Sequence, residues 1–228
     1  MYQDTYRPQL QFSVFPPVLK NLLIINGLLF LGQMAQGSPL SQFLDTWLAL
    51  WPLGAPDAIM TSRGLRTMAD FWPWQLVTYG FLHGDFFHLL FNMFALWMFG
   101  AQLENAWGSK RFAIFYFVCV VGAGLVQLVT QYLSGSYAVT VGASGGVYGL
   151  LLAFGMTYPN QIIYLNFFIP IKAKWFVAGM GAISLFSGAT GAADGVAHFA
   201  HLGGMVFGLL LLLYWRGQLP LKPEKTLY

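Results

Sequence analysis

The chain alternates between long apolar blocks and short polar connections, and the blocks set the architecture. Six stand out: roughly 21–36, 86–101 (FFHLLFNMFALWMFGA), 112–132, Ser144 to just before Pro159, 175–187 and 195–215. A helix of ~20 residues crosses a hydrocarbon core of ~30 Å, so each block predicts a transmembrane helix, with the fourth and fifth short. A short span either thins the bilayer or ends in a water-filled cavity, the first hint of an internal aqueous site. The expected fold is therefore an all-α polytopic bundle of six transmembrane helices, over residues 21–215. It carries a polar N-terminal tail (1–20), a C-terminal tail (216–228) and one large outer loop (37–85). That loop is rich in Trp, Leu and Pro and poor in charge, so it is expected to lie in the membrane interface, with Trp72 and Trp74 as anchors.

Composition agrees. Of 228 residues, 57% are hydrophobic and 8% charged, with 21 Phe, 8 Trp and 26 Gly. Soluble domains run near a quarter charged, so disorder, a basic nucleic-acid-binding face and an ordinary soluble enzyme are all excluded. The single cysteine, Cys119, excludes a disulfide framework and a cysteine-based metal site. The opening segment is polar and interrupted by proline, unlike a cleavable signal peptide, so the first apolar block is expected to act as its own insertion signal.

Charge adds orientation. Arg7, Lys20, Lys110, Arg111, Lys172, Lys174, Arg216, Lys222 and Lys225 all fall on the side shared by the two termini. Arg63 and Arg66 fall opposite, with Asp45, Asp57, Asp70, Asp85 and Asp194. The positive-inside bias places both termini in the cytoplasm.

Against this apolar background the polar intramembrane residues are the candidates for chemistry, because the bilayer makes each one costly. His88 and Asn92 sit four apart on one face of the second span; Ser144 opens the fourth; His201 lies in the sixth. All four fall toward the outer ends of their spans. Singly, each has a plain structural role: a serine at a helix start is ordinarily an N-cap, and a buried histidine or asparagine ordinarily bonds a neighbouring helix. Glu104, near the opposite end, reads as a tie for the turn at Gly108-Ser109. The combination is what points to function.

Its centre is Gly142-Ala143-Ser144-Gly145-Gly146. Gly142 and Gly145 clear side-chain bulk from both sides of the hydroxyl, and the Ser144 N–H, at a helix start, has no intrahelical acceptor. Such an N–H suits the oxyanion of an acyl transfer. A serine nucleophile needs a base, and span six offers His198 and His201. Gly145 and Gly149 on span four, with Gly204 and Gly208 on span six, are small-xxx-small pairs that allow close approach. At 100° per residue Gly204 and Gly208 lie about 60° and 20° from His201 but about 120° and 80° from His198. His201 therefore faces span four and His198 turns away. Tyr148, one turn from Ser144, is placed to stack on the imidazole.

Taken in order, His88-x-x-x-Asn92, Gly100-x-x-x-Glu104 with Gly108-Ser109, Gly142-Ala143-Ser144-Gly145 and Ala200-His201-Leu202-Gly203-Gly204-x-x-x-Gly208 resemble the rhomboid intramembrane serine proteases, of the bacterial six-helix type. The resemblance covers about residues 70–210. It implies a Ser144–His201 dyad without a carboxylate, an oxyanion hole from Asn92, His88 and the Ser144 N–H, and Tyr148 stacked on His201. It implies hydrolysis of peptide bonds in or beside transmembrane segments of single-pass or polytopic membrane proteins, from within a bacterial plasma membrane. No cofactor, metal or nucleic acid enters that chemistry. Two rivals stay in view: a histidine metal or haem site from His83, His88, His198 and His201, and an inactive relative that binds membrane proteins without cutting them. His83 and His88 are five apart, about 140° round a helix, and there is no HExxH motif, which weighs against the first.

Overall fold

A computed structural model describes residues 12–61, 64–165, 168–191 and 197–220, with 223 and 226. The expectations placed on Arg7, Arg63, Asp194, Lys222 and Lys225 lie outside these residues, as does the Arg66 side chain.

Each apolar block forms a helix. The bundle consists of α1 (Pro17–Met34), α4 (Phe86–Trp107), α5 (Ser109–Ser134), α6 (Ser144–Thr157), α7 (Ala173–Thr190) and α8 (His198–Trp215). Between α1 and α4 the chain forms α2 (Pro39–Leu48), the hairpin β1 (Ala58–Thr61) and β2 (Gly64–Thr67), and one turn of helix, α3 (Gln75–Thr78). A second hairpin, β3 (Ile162–Leu165) and β4 (Ile169–Lys172), joins α6 to α7. The molecule is an all-α polytopic membrane protein. By length and apolarity α1, α4, α5 and α8 can each cross a membrane, while α6 is a shorter apolar helix of 14 residues. At 1.5 Å per residue α6 spans about 21 Å.

Several boundaries differ from the sequence expectation, α4 running on to Trp107 among them, and two are informative. The first helix begins at Pro17, not near residue 21, because proline suits the first helical turn and Glu104 receives the helix start. Glu104, buried on α4, accepts the N–H groups of Val18 and Leu19 at 2.9 and 2.8 Å. It also accepts the Ser109 hydroxyl at 2.6 Å, so the expected tie of the turn holds and a second helix end is tied with it. Pro16 and Pro17 carry no N–H, so these are the two orphan donors that the start of α1 presents, and a carboxylate at the positive end of the helix dipole satisfies both. The fifth apolar block, expected short, is an 18-residue helix. Its glycines and serines dilute the apolar pattern, and one of them, Ser184, is buried.

The core lies among α4, α5, α6 and α8, around Leu96, Phe99, Phe112, Phe115, Leu150 and Phe154. At its centre α6 and α8 touch backbone to backbone. A Cβ on Gly204 would meet the Gly145 carbonyl, and one on Gly208 would lie 3.5 Å from the Gly149 Cα. The two small-residue pairs therefore face one another, and Cys119 packs into the same seam beside Gly149 and Gly208.

The outer loop is folded and fastened. Leu50 and Thr140 exchange both backbone hydrogen bonds at 3.0 Å, and Trp51 N–H donates to buried Gln75 at 3.2 Å. Trp72 and Trp74 stack at 5.0 Å and lean on Trp47, with all three rings exposed. That outward aromatic cluster is what an interfacial anchor requires.

Candidate active site

The serine is presented by a loop that the backbone shapes. Gly142 has φ of +125°, a conformation that side-chain-bearing residues rarely adopt, and its N–H donates to Tyr79 O at 2.9 Å. A Cβ here would also lie 2.7 Å from His88 Nε2. Ala143 then caps α6 without a side-chain bond, so Ser144 is the first helical residue and its hydroxyl is not spent on capping. The hydroxyl instead lies 2.8 Å from His201 Nε2, across 57 residues of sequence.

Tyr148 covers the imidazole. Its ring is stacked on His201 at 4.0 Å with planes 9° apart. His198 lies edge-on to His201 with ring centroids 6.2 Å apart, and it is His201 that makes the serine contact. Close approach of Ser144 and His201 follows from the glycine seam, since Gly145 directly follows Ser144 and Gly204 lies one turn, three residues, after His201.

His88 and Asn92 occupy the facing side. Asp85 caps α4 by accepting His88 N–H at 2.9 Å. His88 Nδ1 accepts Gly84 N–H at 3.3 Å, and a neutral imidazole accepting there carries its proton on Nε2, the nitrogen beside Gly142. Asn92 Nδ2 donates to His88 O at 2.8 Å, which uses one of its two amide protons. Ser144, His201, His88 and Asn92 line one cavity of about 830 Å³, with Phe87 and Gln127 among its other walls. Five donors or acceptors of the expected set thus converge: the serine, the base, two side-chain donors and a helix-start N–H.

Three contributors escaped the sequence reading. Tyr79, buried, supports Gly142 through its carbonyl and reaches Val120 O through its hydroxyl at 2.8 Å. Gln127 lines the cavity from α5. His83, weighed only as a metal ligand, lies edge-on to His88 at 5.0 Å, and its Gln33-bound backbone fixes it there. Only the Asp85-x-x-His88 cap spacing could have signalled how this region is held. Among the described residues no group of three or more His, Cys, Asp or Glu is placed to hold a metal ion.

A rhomboid domain pattern matches residues 71–218, well over half the chain. RHOMBOID-like protein 1 of Arabidopsis thaliana is 36% identical over 165 residues, covering 72% of this chain and 38% of that protein. RHOMBOID-like protein 5 of the same plant is 32% identical, covering 71% and 49%. The mitochondrial presenilin-associated rhomboid-like protein of Mus musculus is 30% identical, covering 62% and 39%. The chain spans less than half the length of each of these relatives.

Proposed function

The chain belongs to the rhomboid family, and from that membership we propose that it is an intramembrane serine endopeptidase working through a Ser144–His201 dyad. The observation that carries the proposal is the 2.8 Å contact between Ser144 Oγ and His201 Nε2 inside a cavity that also holds His88 and Asn92. His201 Nε2 takes the hydroxyl proton as Oγ attacks the scissile carbonyl, and returns it to the departing amine. Water, activated by the same imidazole, then hydrolyses the acyl-enzyme. The oxyanion is received by the Ser144 N–H, the second Asn92 amide proton and His88 Nε2–H. Parallel stacking on Tyr148 supplies the orientation of the imidazole that a carboxylate gives in soluble triads, at a depth where burying another charge is costly.

Substrates are transmembrane segments of membrane proteins, which must unwind to reach a serine set in a loop between helices. The six bundle helices cross the bilayer, with residues 1–16 and 216–228 as tails. Lys20, Lys110, Arg111, Lys172, Lys174 and Arg216 gather at one end, which supports cytoplasmic termini and a site opening on the opposite face. A bacterial plasma membrane as its location rests on the sequence resemblance alone.

The test is labelling of the purified protein by a fluorophosphonate together with cleavage of a transmembrane model substrate. Ser144→Ala and His201→Ala are expected to lose both activities while staying folded in detergent, and His198→Ala to keep substantial activity. Full activity of Ser144→Ala, or the reverse result for the two histidines, overturns the assignment.

A further inference from the structure

A second cavity, of about 660 Å³, adjoins the one that holds Ser144, and Gly84, Asp85, Val139 and Val141 wall both. Its other sides are the end of α1, with Gln33, and one face of α2, with Ser41 and Asp45. Gln33 fastens these parts together. Its carboxamide accepts the His83 backbone N–H at 3.0 Å and donates to the Asp45 carboxylate at 3.2 Å. One side chain of α1 thus ties α2 to the segment that leads into α4.

The charge of this hollow is one-sided. Asp45 and Asp85 both line it, and none of the described residues of its wall is a lysine or arginine. Asp45 accepts from Gln33, and Asp85 accepts the His88 N–H at 2.9 Å. An ionised carboxylate offers about four acceptor sites, so most of each remains for an incoming donor. His83 gives an independent sign of an occupant. It lines the same cavity, is 2% exposed, and neither ring nitrogen has a hydrogen-bond partner among the described residues. A buried polar atom left unpaired costs about 1–3 kcal/mol, and such atoms in native proteins ordinarily meet water or a bound group. One nitrogen of a neutral imidazole is an acceptor, so this wall too offers a lone pair to a donor.

Resting on the proteolytic reading of Ser144, we propose that this hollow is a specificity subsite that receives an arginine side chain from the aqueous flank of the substrate, with Asp45 as the residue that sets the preference. A guanidinium carries five N–H donors in a planar fork, enough to serve carboxylate oxygens and an imidazole nitrogen together. Its apolar stem has Phe30, Val139 and Val141 to pack on. The shared wall favours a substrate residue over a free cation. A chain that lies along Val139 and Val141 toward Ser144 has the catalytic cavity ahead of it and this hollow at its side.

The test uses the full chain and transmembrane model substrates that carry arginine, glutamine or glutamate at successive positions of the outer flank. At one position arginine is expected to lower KM about fivefold against glutamine with kcat unchanged, since a flank contact is made equally before and during the reaction. In Asp45→Asn the preference should shrink to within about twofold, and Asp45→Lys should favour glutamate at that position. Asp45 is exposed on α2, so these variants are expected to fold. Asp57→Asn, which removes an exposed carboxylate outside the cavity wall, should keep the wild-type preference. Binding of the same substrates to Ser144→Ala, read by fluorescence anisotropy in detergent, separates the two readings. Failure of wild type to cleave any substrate ends the proteolytic reading, while the arginine preference in binding reports on the hollow by itself. Equal affinity for arginine and glutamine substrates at every position, or an equal loss of preference in Asp57→Asn, overturns the proposal. So does thermal stabilisation by spermidine that Asp45→Asn abolishes while substrates are not discriminated, which assigns the hollow to a free polyamine.

Discussion

Asn92 and His83, both neighbours of His88, show how differently two buried polar side chains behave. Asn92 spends one amide proton on His88 O, and in the proposed mechanism the other receives a charge that exists only during the reaction. Removing such a donor acts on the transition state, so Asn92→Ala is expected to lower kcat by roughly 10²–10³-fold with little change in KM. A rise in KM alone, measured on the same substrate, would make it a residue that positions substrate. His83 is 2% exposed, and neither ring nitrogen has a hydrogen-bond partner among the described residues. Burial holds its pKa down to about 3, helped by the neighbouring His88 and opposed by Asp85. In the unfolded chain the same ring titrates near 6.5, so between these values the unfolded state binds the extra proton. Its contribution is fully present above pH 6.5 and is lost as the pH falls toward 3. Thermal unfolding of wild type should therefore drop more between pH 7 and pH 4.5 than that of His83→Gln; identical slopes would remove His83 as the cause.

The helix pair α6–α8 is the element on which the geometry depends. A methyl on Gly204 runs into the Gly145 carbonyl, so Gly204→Ala must push the helices apart. Overpacking of this kind costs roughly 1–3 kcal/mol, and the same displacement stretches the 2.8 Å contact between Ser144 and His201. Lower Tm and lower kcat are expected together, whereas Gly27→Ala on α1, with open space around it, should leave kcat unchanged. This seam was legible in the sequence because small residues repeat every four positions on both helices, and the angle from Gly208 separated His201 from His198. Long-range fastenings were not legible. Glu104 reaches back 85 residues to the start of α1, a distance for which helical periodicity carries no signal. Nor were α2 and the two hairpins, whose four-residue strands are too short to show an alternating pattern.

At the scale of the molecule, the aromatic cluster and the serine belong to one connected scaffold. Trp74 donates its indole N–H to Trp47 O at 2.9 Å, and Trp51 donates to Asp45 and Thr46 carbonyls. One residue before Trp51, the Leu50–Thr140 pair joins this platform to the strand of chain that runs through Gly142 to Ser144. Because every step is a backbone or indole hydrogen bond, a vertical load on the tryptophans is transmitted with little slack. A bilayer thicker or thinner than the protein prefers shifts the level of those rings at a cost of fractions of a kcal/mol per Å. Turnover of one substrate in vesicles with acyl chains of different length should pass through an optimum, and Trp72→Ala/Trp74→Ala should flatten it. The clasp between Leu50 and Thr140 would then act as a mechanical linkage, making the proposed protease a gauge of the thickness of the membrane around it.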